Sequence, residues 1–195
     1  MDENMEIMDP LPENKGDIAK WLKYLPYVRI AGLLVGFFVL IPGLSGASGL
    51  LLSAISAGSI YLLFQLAPSC GRYRTAAIAY SVCLVISLLG LEILSLVGSV
   101  ASLVAVYQEF NGHSDITKHL DAYLANQWHS LFYWSMLAGL LGGVVGVSGV
   151  VIGVLAGVEN QTLVNLIVPL VGVVELVIEL VYLSYMKKTV KLFET

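Results

Sequence analysis

Glu175 and Glu179 are the residues of this chain whose type and spacing point most directly to chemistry. They stand four apart in an apolar run from Thr162 to Tyr185, so on a helix they share one face. Glu175 falls about midway along that run, where a carboxylate is costly unless it is protonated, paired or turned toward a polar cavity. Like charges in a low dielectric do not both stay ionised, so two such acids could hand on a proton or a cation. The apolar segments offer neither of them a lysine or arginine. The competing reading is therefore a protonated, hydrogen-bonding Glu175 with Glu179 reaching the membrane interface. Glu92 is a third candidate acid, beside Gly90 in the run from Thr75 to Tyr107. At an outer turn it is merely solvated, whereas in one continuous helix it sits in mid-membrane.

The three histidines all fall between Gln108 and Ser130. Asp115 and His119 are one helical turn apart, with His113 close by, but a divalent metal needs three or four ligands in a fitting geometry. Three residues without a recognised spacing read as solvated polar groups, and neither a metal nor a cofactor is expected. Cys70 and Cys83 have neither metal nor redox spacing. No Ser-His-Asp constellation or phosphate-binding loop is present, so no catalytic residue is assigned and the reading is non-enzymatic.

The elements that position these residues are membrane helices. Ile30 to Gly71 contains no Asp, Glu, Lys or Arg, and roughly 20 helical residues span a bilayer core of about 30 Å. The stretch is about twice that length and is broken at Pro42-Gly43-Leu44-Ser45-Gly46, which marks two spans joined by a tight turn. Composition agrees: 57% hydrophobic and 12% charged, with a mean hydropathy of +0.84. A soluble domain carries about 25% charged residues. The ten Lys and Arg are scattered at the ends of apolar segments, which argues against nucleic-acid binding.

The fold expected is all-α, a polytopic transmembrane helical bundle of three helical hairpins. The six spans are about 28–41, 48–67, 75–90, 93–107, 131–157 and 162–186. Five or four spans are the alternatives, because the block from Thr75 to Tyr107 is long for one crossing and short for two. With six spans all ten Lys and Arg fall on the inner side, as the positive-inside rule prefers, whereas five spans put four of them outside. Both termini are then cytoplasmic. Residues 1–16 are acidic and contain Pro10 and Pro12, and read as a disordered cytoplasmic tail. Asp17 to Arg29 reads as a short juxtamembrane helix, with Trp21, Tyr24 and Tyr27 among cations as interfacial anchors. In the 108–130 connection Ile116, Leu120, Tyr123, Leu124, Trp128 and Leu131 recur at helical spacing, which predicts an amphipathic helix along the membrane surface.

Small residues supply a packing signal. Gly142, Gly146, Gly149, Gly153 and Gly157 recur along the fifth span, and Gly32 and Gly36 repeat the spacing on the first. Such stripes let helix backbones approach closely within this chain, against a second copy or against a membrane-protein partner.

The stretches Tyr107-Gln108-Glu109-Phe110-Asn111-Gly112-His113-Ser114-Asp115, Trp128-His129-Ser130-Leu131-Phe132 and Tyr182-Leu183-Ser184-Tyr185-Met186-Lys187-Lys188 carry a family resemblance. Together with Arg72-Tyr73-Arg74-Thr75-Ala76, they resemble uncharacterised small multi-span membrane proteins of anaerobic Gram-positive bacteria. The resemblance implies a bacterial plasma-membrane location and carries over no functional residue. The function expected is a membrane interaction or assembly protein packing through Gly-rich helices. The alternative is a small transporter or channel with Glu175 and Glu179 as a titrating pair.

Overall fold

A computed structural model describes residues 15–39, 45–90, 94–156 and 161–194, and their side chains except at 37–39, 45–47, 95, 141–156 and 161–171. The described residues form six α-helices and no strand: α1 Lys15–Val39, α2 Ser45–Leu66, α3 Gly71–Leu89, α4 Ser95–Lys118, α5 Ala122–Ala156 and α6 Gln161–Glu194. Glu92 and most of the acidic tail lie outside the described residues.

Local chemistry sets the helix ends. The turn after α2 contains Pro68, and Ser69 donates from both its N–H and its hydroxyl to the Leu66 carbonyl, at 3.0 and 2.6 Å. Gly90 ends α3 in the left-handed region at φ 60°, a conformation that glycine adopts without strain. This break divides the long Thr75–Tyr107 block into two helices. Asp121 caps α5, its carboxylate accepting the Leu124 N–H at 2.9 Å.

Two sequence expectations need correction. The 108–130 connection contains no separate surface helix. Residues up to Lys118 continue α4, a short turn follows, and α5 begins at Ala122. Phe110, Ile116, Leu124 and Trp128 are buried against other helices, so this apolar face is consumed by packing within the protein. The helix expected from Asp17 to Arg29 is likewise not separate, because α1 passes through Pro26 without a break.

Each helix packs on its neighbours in sequence, and α6 packs on α1, closing a ring. One end of the ring carries the first turns of α1, the last turns of α6, and the α2–α3 and α4–α5 turns; we call it the terminal end. The core sits there. Leu22, Leu63, Leu66, Tyr73, Trp128, Tyr182 and Met186 are each no more than 1% exposed. Trp128 is its centre, with ring centroids 4.5 Å from His113, 5.2 Å from Tyr182 and 5.9 Å from Phe110. Its indole N–H donates to the Thr189 hydroxyl at 3.0 Å.

The distal half is built differently. Leu50, Leu88, Leu89, Leu96 and Val100 are exposed there. Ser48–Leu66 and Gly71–Leu89 are long and apolar enough to cross a membrane, and only 17% and 22% of their apolar windows are buried. Neither is mostly buried within the chain, as the core helix of a water-soluble protein of the same length and composition would be.

Candidate functional site

The site grows from helix faces that meet inside the ring. On α1, Leu22, Leu25 and Arg29 fall on one face, and since both leucines are buried the arginine is carried inward with them. On α4, Glu109 and His113 are one turn apart and both buried. Tyr73 and Tyr80, two turns apart on α3, and Glu179 and Tyr182 on α6 complete the set.

Arg29 Nη2 donates to both oxygens of Glu109, at 2.7 Å to Oε1 and 2.6 Å to Oε2. Tyr80 donates to Oε2 and Tyr182 to Oε1, each at 2.8 Å. Both carboxylate oxygens of Glu109 are thus doubly satisfied. The guanidinium also lies 4.9 Å from the centroid of the Tyr182 ring, within cation–π range. Arg29 Nη1 reaches Glu179 Oε1 at a longer 3.4 Å. The second oxygen of Glu179 is buried and has no hydrogen-bond partner.

A second chain of bonds runs through His113. Tyr182 spends its hydroxyl proton on Glu109, so it accepts from His113 Nε2 at 3.2 Å. The imidazole proton therefore sits on Nε2, and Nδ1 accepts from Tyr73 at 2.8 Å. Electrostatics agree with this neutral tautomer: burial pushes the His113 pKa down, and Glu109, 3.8 Å away, offsets this only in part. Burial pushes Glu109 the other way, but the Arg29 guanidinium and then His113 outweigh it and hold the carboxyl well below the usual range. The result is a connected line, Tyr73–His113–Tyr182–Glu109–Arg29–Glu179, across four helices.

Glu175 does not join it. Although it shares a face with Glu179 in sequence terms, Glu175 is exposed and stands outside this hydrogen-bonded cluster. The expectation that no arginine or lysine reaches either acid is also corrected: Arg29, read as an interfacial anchor, is the partner of Glu179. The three candidate metal residues separate, with His113 in the buried line, Asp115 ion-paired with Arg72, and His119 exposed at the end of α4. Among the described residues no three His, Cys, Asp or Glu side chains are grouped so that they could hold a metal ion. Cys70 and Cys83 are free thiols, the second donating to the Gly98 carbonyl at 3.3 Å.

A Cβ on Gly32 would make ordinary contact with Ile55 Cγ2 at 3.7 Å, so this glycine does face α2, whereas a Cβ on Gly36 would meet nothing within 4 Å. Gly142, Gly146, Gly149 and Gly153 fall within α5, but their surroundings, like the whole of Gly157, lie outside the described residues.

Sequence reasoning missed Arg29, Tyr80, Glu109 and Tyr182 as one site. The available signal was Glu109 and His113 four apart, one helical turn, with the large apolar Phe110 between them. Comparison of the chain with family models, with curated proteins and with solved structures finds no match to any of them.

Proposed function

We propose that this chain is a multi-pass membrane protein whose six helices form three hairpins with the terminal end in the cytoplasm, and that it moves protons or a small monovalent cation. The observation that carries the reading is the unequal charge in the buried cluster, where two carboxylates share one guanidinium. Glu109 is locked by Arg29 and two tyrosines. Glu179 holds Arg29 loosely and keeps a buried oxygen without a partner. Such an atom is costly unless a proton or cation joins it, and an ionisable group among membrane helices is a functional candidate on those grounds. Arg29 then works as a shared counter-ion, given wholly to Glu109 when Glu179 is neutralised and divided between them when it is not. The location this implies is the plasma membrane.

The test is flux into proteoliposomes under an imposed pH gradient, read with an enclosed pH-sensitive dye and repeated with sodium and potassium gradients. Glu179→Gln is expected to abolish the flux and Glu175→Gln to leave most of it. Absence of any flux in the unaltered protein would sink the reading.

A second reading is a membrane assembly protein, favoured by glycines whose faces the described residues leave uncovered. A Cβ on Gly36, Gly139 or Gly172 would meet nothing within 4 Å, which leaves room for a partner helix. On that reading Gly153→Leu changes the oligomer size in detergent and Glu179→Gln does not.

A further inference from the structure

We propose that the groove between α5 and α6 seats one acyl chain of an anionic glycerophospholipid, with the lipid phosphate at Lys188. The inference rests on the membrane location proposed above and is independent of any transport. The groove has a volume of about 530 Å³ and is lined by Trp134, Leu137 and Ala138 of α5 and by Val174, Val177 and Val181 of α6. Its size lies within the range of ligand sites, and its lining suits a hydrocarbon chain.

The groove has room for one acyl chain. The lining runs from Val173 to Tyr185 along α6, about 18 Å at 1.5 Å per residue. That is enough for the hydrocarbon of one leaflet of a core about 30 Å thick. The terminal end of the groove is polar and basic. Ser130 and Tyr185 line it there, and Lys188 Nζ lies 5.6 Å from the centroid of the Tyr185 ring. Lys188, Tyr185 and Val181 succeed one another on the same side of α6, at spacings of three and four. The cation therefore stands where the chain in the groove would meet its headgroup. An anionic inner leaflet supplies the complementary charge.

The experiment is native mass spectrometry of the full chain in dodecyl maltoside, offered equal amounts of phosphatidylglycerol and phosphatidylcholine with identical acyl chains. One retained phosphatidylglycerol per chain is expected, preferred about fivefold, the factor one lysine near an anionic surface is worth. Lys188→Gln is expected to bring retention down to that of phosphatidylcholine. Ala138→Trp, which fills the groove, is expected to lose both lipids with the melting temperature unchanged. Equal retention of the two lipids, or a preference that survives Lys188→Gln, overturns the proposal while leaving the membrane reading intact. A second copy of the chain seated on the groove, seen as a dimer that Ala138→Trp dissociates, also overturns it. Recovery of the chain in the aqueous fraction without detergent overturns both.

Discussion

The two ends of this ring are built for different surroundings. At the terminal end Leu63 is 1% exposed, and buried polar groups such as Glu109, His113 and Thr117 bond to other protein groups. In the distal half Leu50 and Leu96 are 73% and 74% exposed. Burial of apolar area holds a structure together in water. Between helices in lipid that force is absent, and close packing of small residues takes its place. An uncovered apolar surface of this kind marks a binding or membrane surface on a soluble chain, and is the ordinary outside of a membrane helix. The chain thus joins a buried, hydrogen-bonded core to an exposed apolar shaft, which on the proposed membrane reading faces lipid, with the Arg29 cluster near the junction.

The largest effect should come from the cluster. Glu109→Ala leaves the Arg29 guanidinium with only its longer contact to Glu179, and breaking a buried pair from one side costs about 3–5 kcal/mol. Denaturant unfolding in detergent micelles measures this. Glu175→Gln, at an exposed position, should stay within about 0.5 kcal/mol. Equal costs for the two would erase the contrast between the ends.

Leucines should divide in the same way. Leu63→Ala removes a fully buried side chain and should cost about 2–5 kcal/mol, whereas Leu96→Ala in the same micelles should change stability by less than about 0.5 kcal/mol. Glycines sharpen the comparison further. A Cβ on Gly112 would stand 2.9 Å from Tyr73 Cε1, against the ring of a buried side chain. Gly112→Ala should therefore cost about 1–3 kcal/mol. Gly139 has open space beside it, and Gly139→Ala should be neutral or stabilising by about 0.4–1 kcal/mol.

The smallest effect near neutrality is on pH dependence. Glu109 and His113 lie past the proposed α4 span, and both have pKa values lowered by folding. In each case the unfolded chain binds protons that the folded chain does not, so acid favours unfolding. Stability should begin to fall below about pH 6.5 as unfolded His113 protonates, and fall further below about 4.3 through Glu109. His113→Gln should remove the first limb alone, as read from melting temperatures across that range.

Much of the architecture was legible because helix boundaries are local. Gly90 ends α3 where a glycine in an apolar run suggested a break, and the distal helix ends fall close to the expected positions, whereas at the terminal end α1, α4, α5 and α6 run well past the expected spans. The site was not legible, because its partners are joined only by the ring. Arg29 and Glu109 are 80 residues apart. Each has a local explanation, Arg29 as one more cation at a membrane edge and Glu109 as part of a polar connection. Periodicity identified the apolar face of 116–131, but it cannot distinguish a face buried on neighbouring helices from one lying on lipid. The same limit made Glu175 and Glu179 look like a pair, since spacing on one helix says nothing of what each acid meets.

The most direct test of two surroundings in one chain is thiol labelling from either side of the membrane, with Cys70 and Cys83 replaced by Ser. One variant carries Val100→Cys on the exposed face of α4, and the other Ala122→Cys at the start of α5. An impermeant maleimide should modify Ala122→Cys in inverted vesicles and not in intact cells, and should reach Val100→Cys in neither until detergent is added. Labelling of Val100→Cys from water without detergent, or of Ala122→Cys in intact cells, would contradict the account.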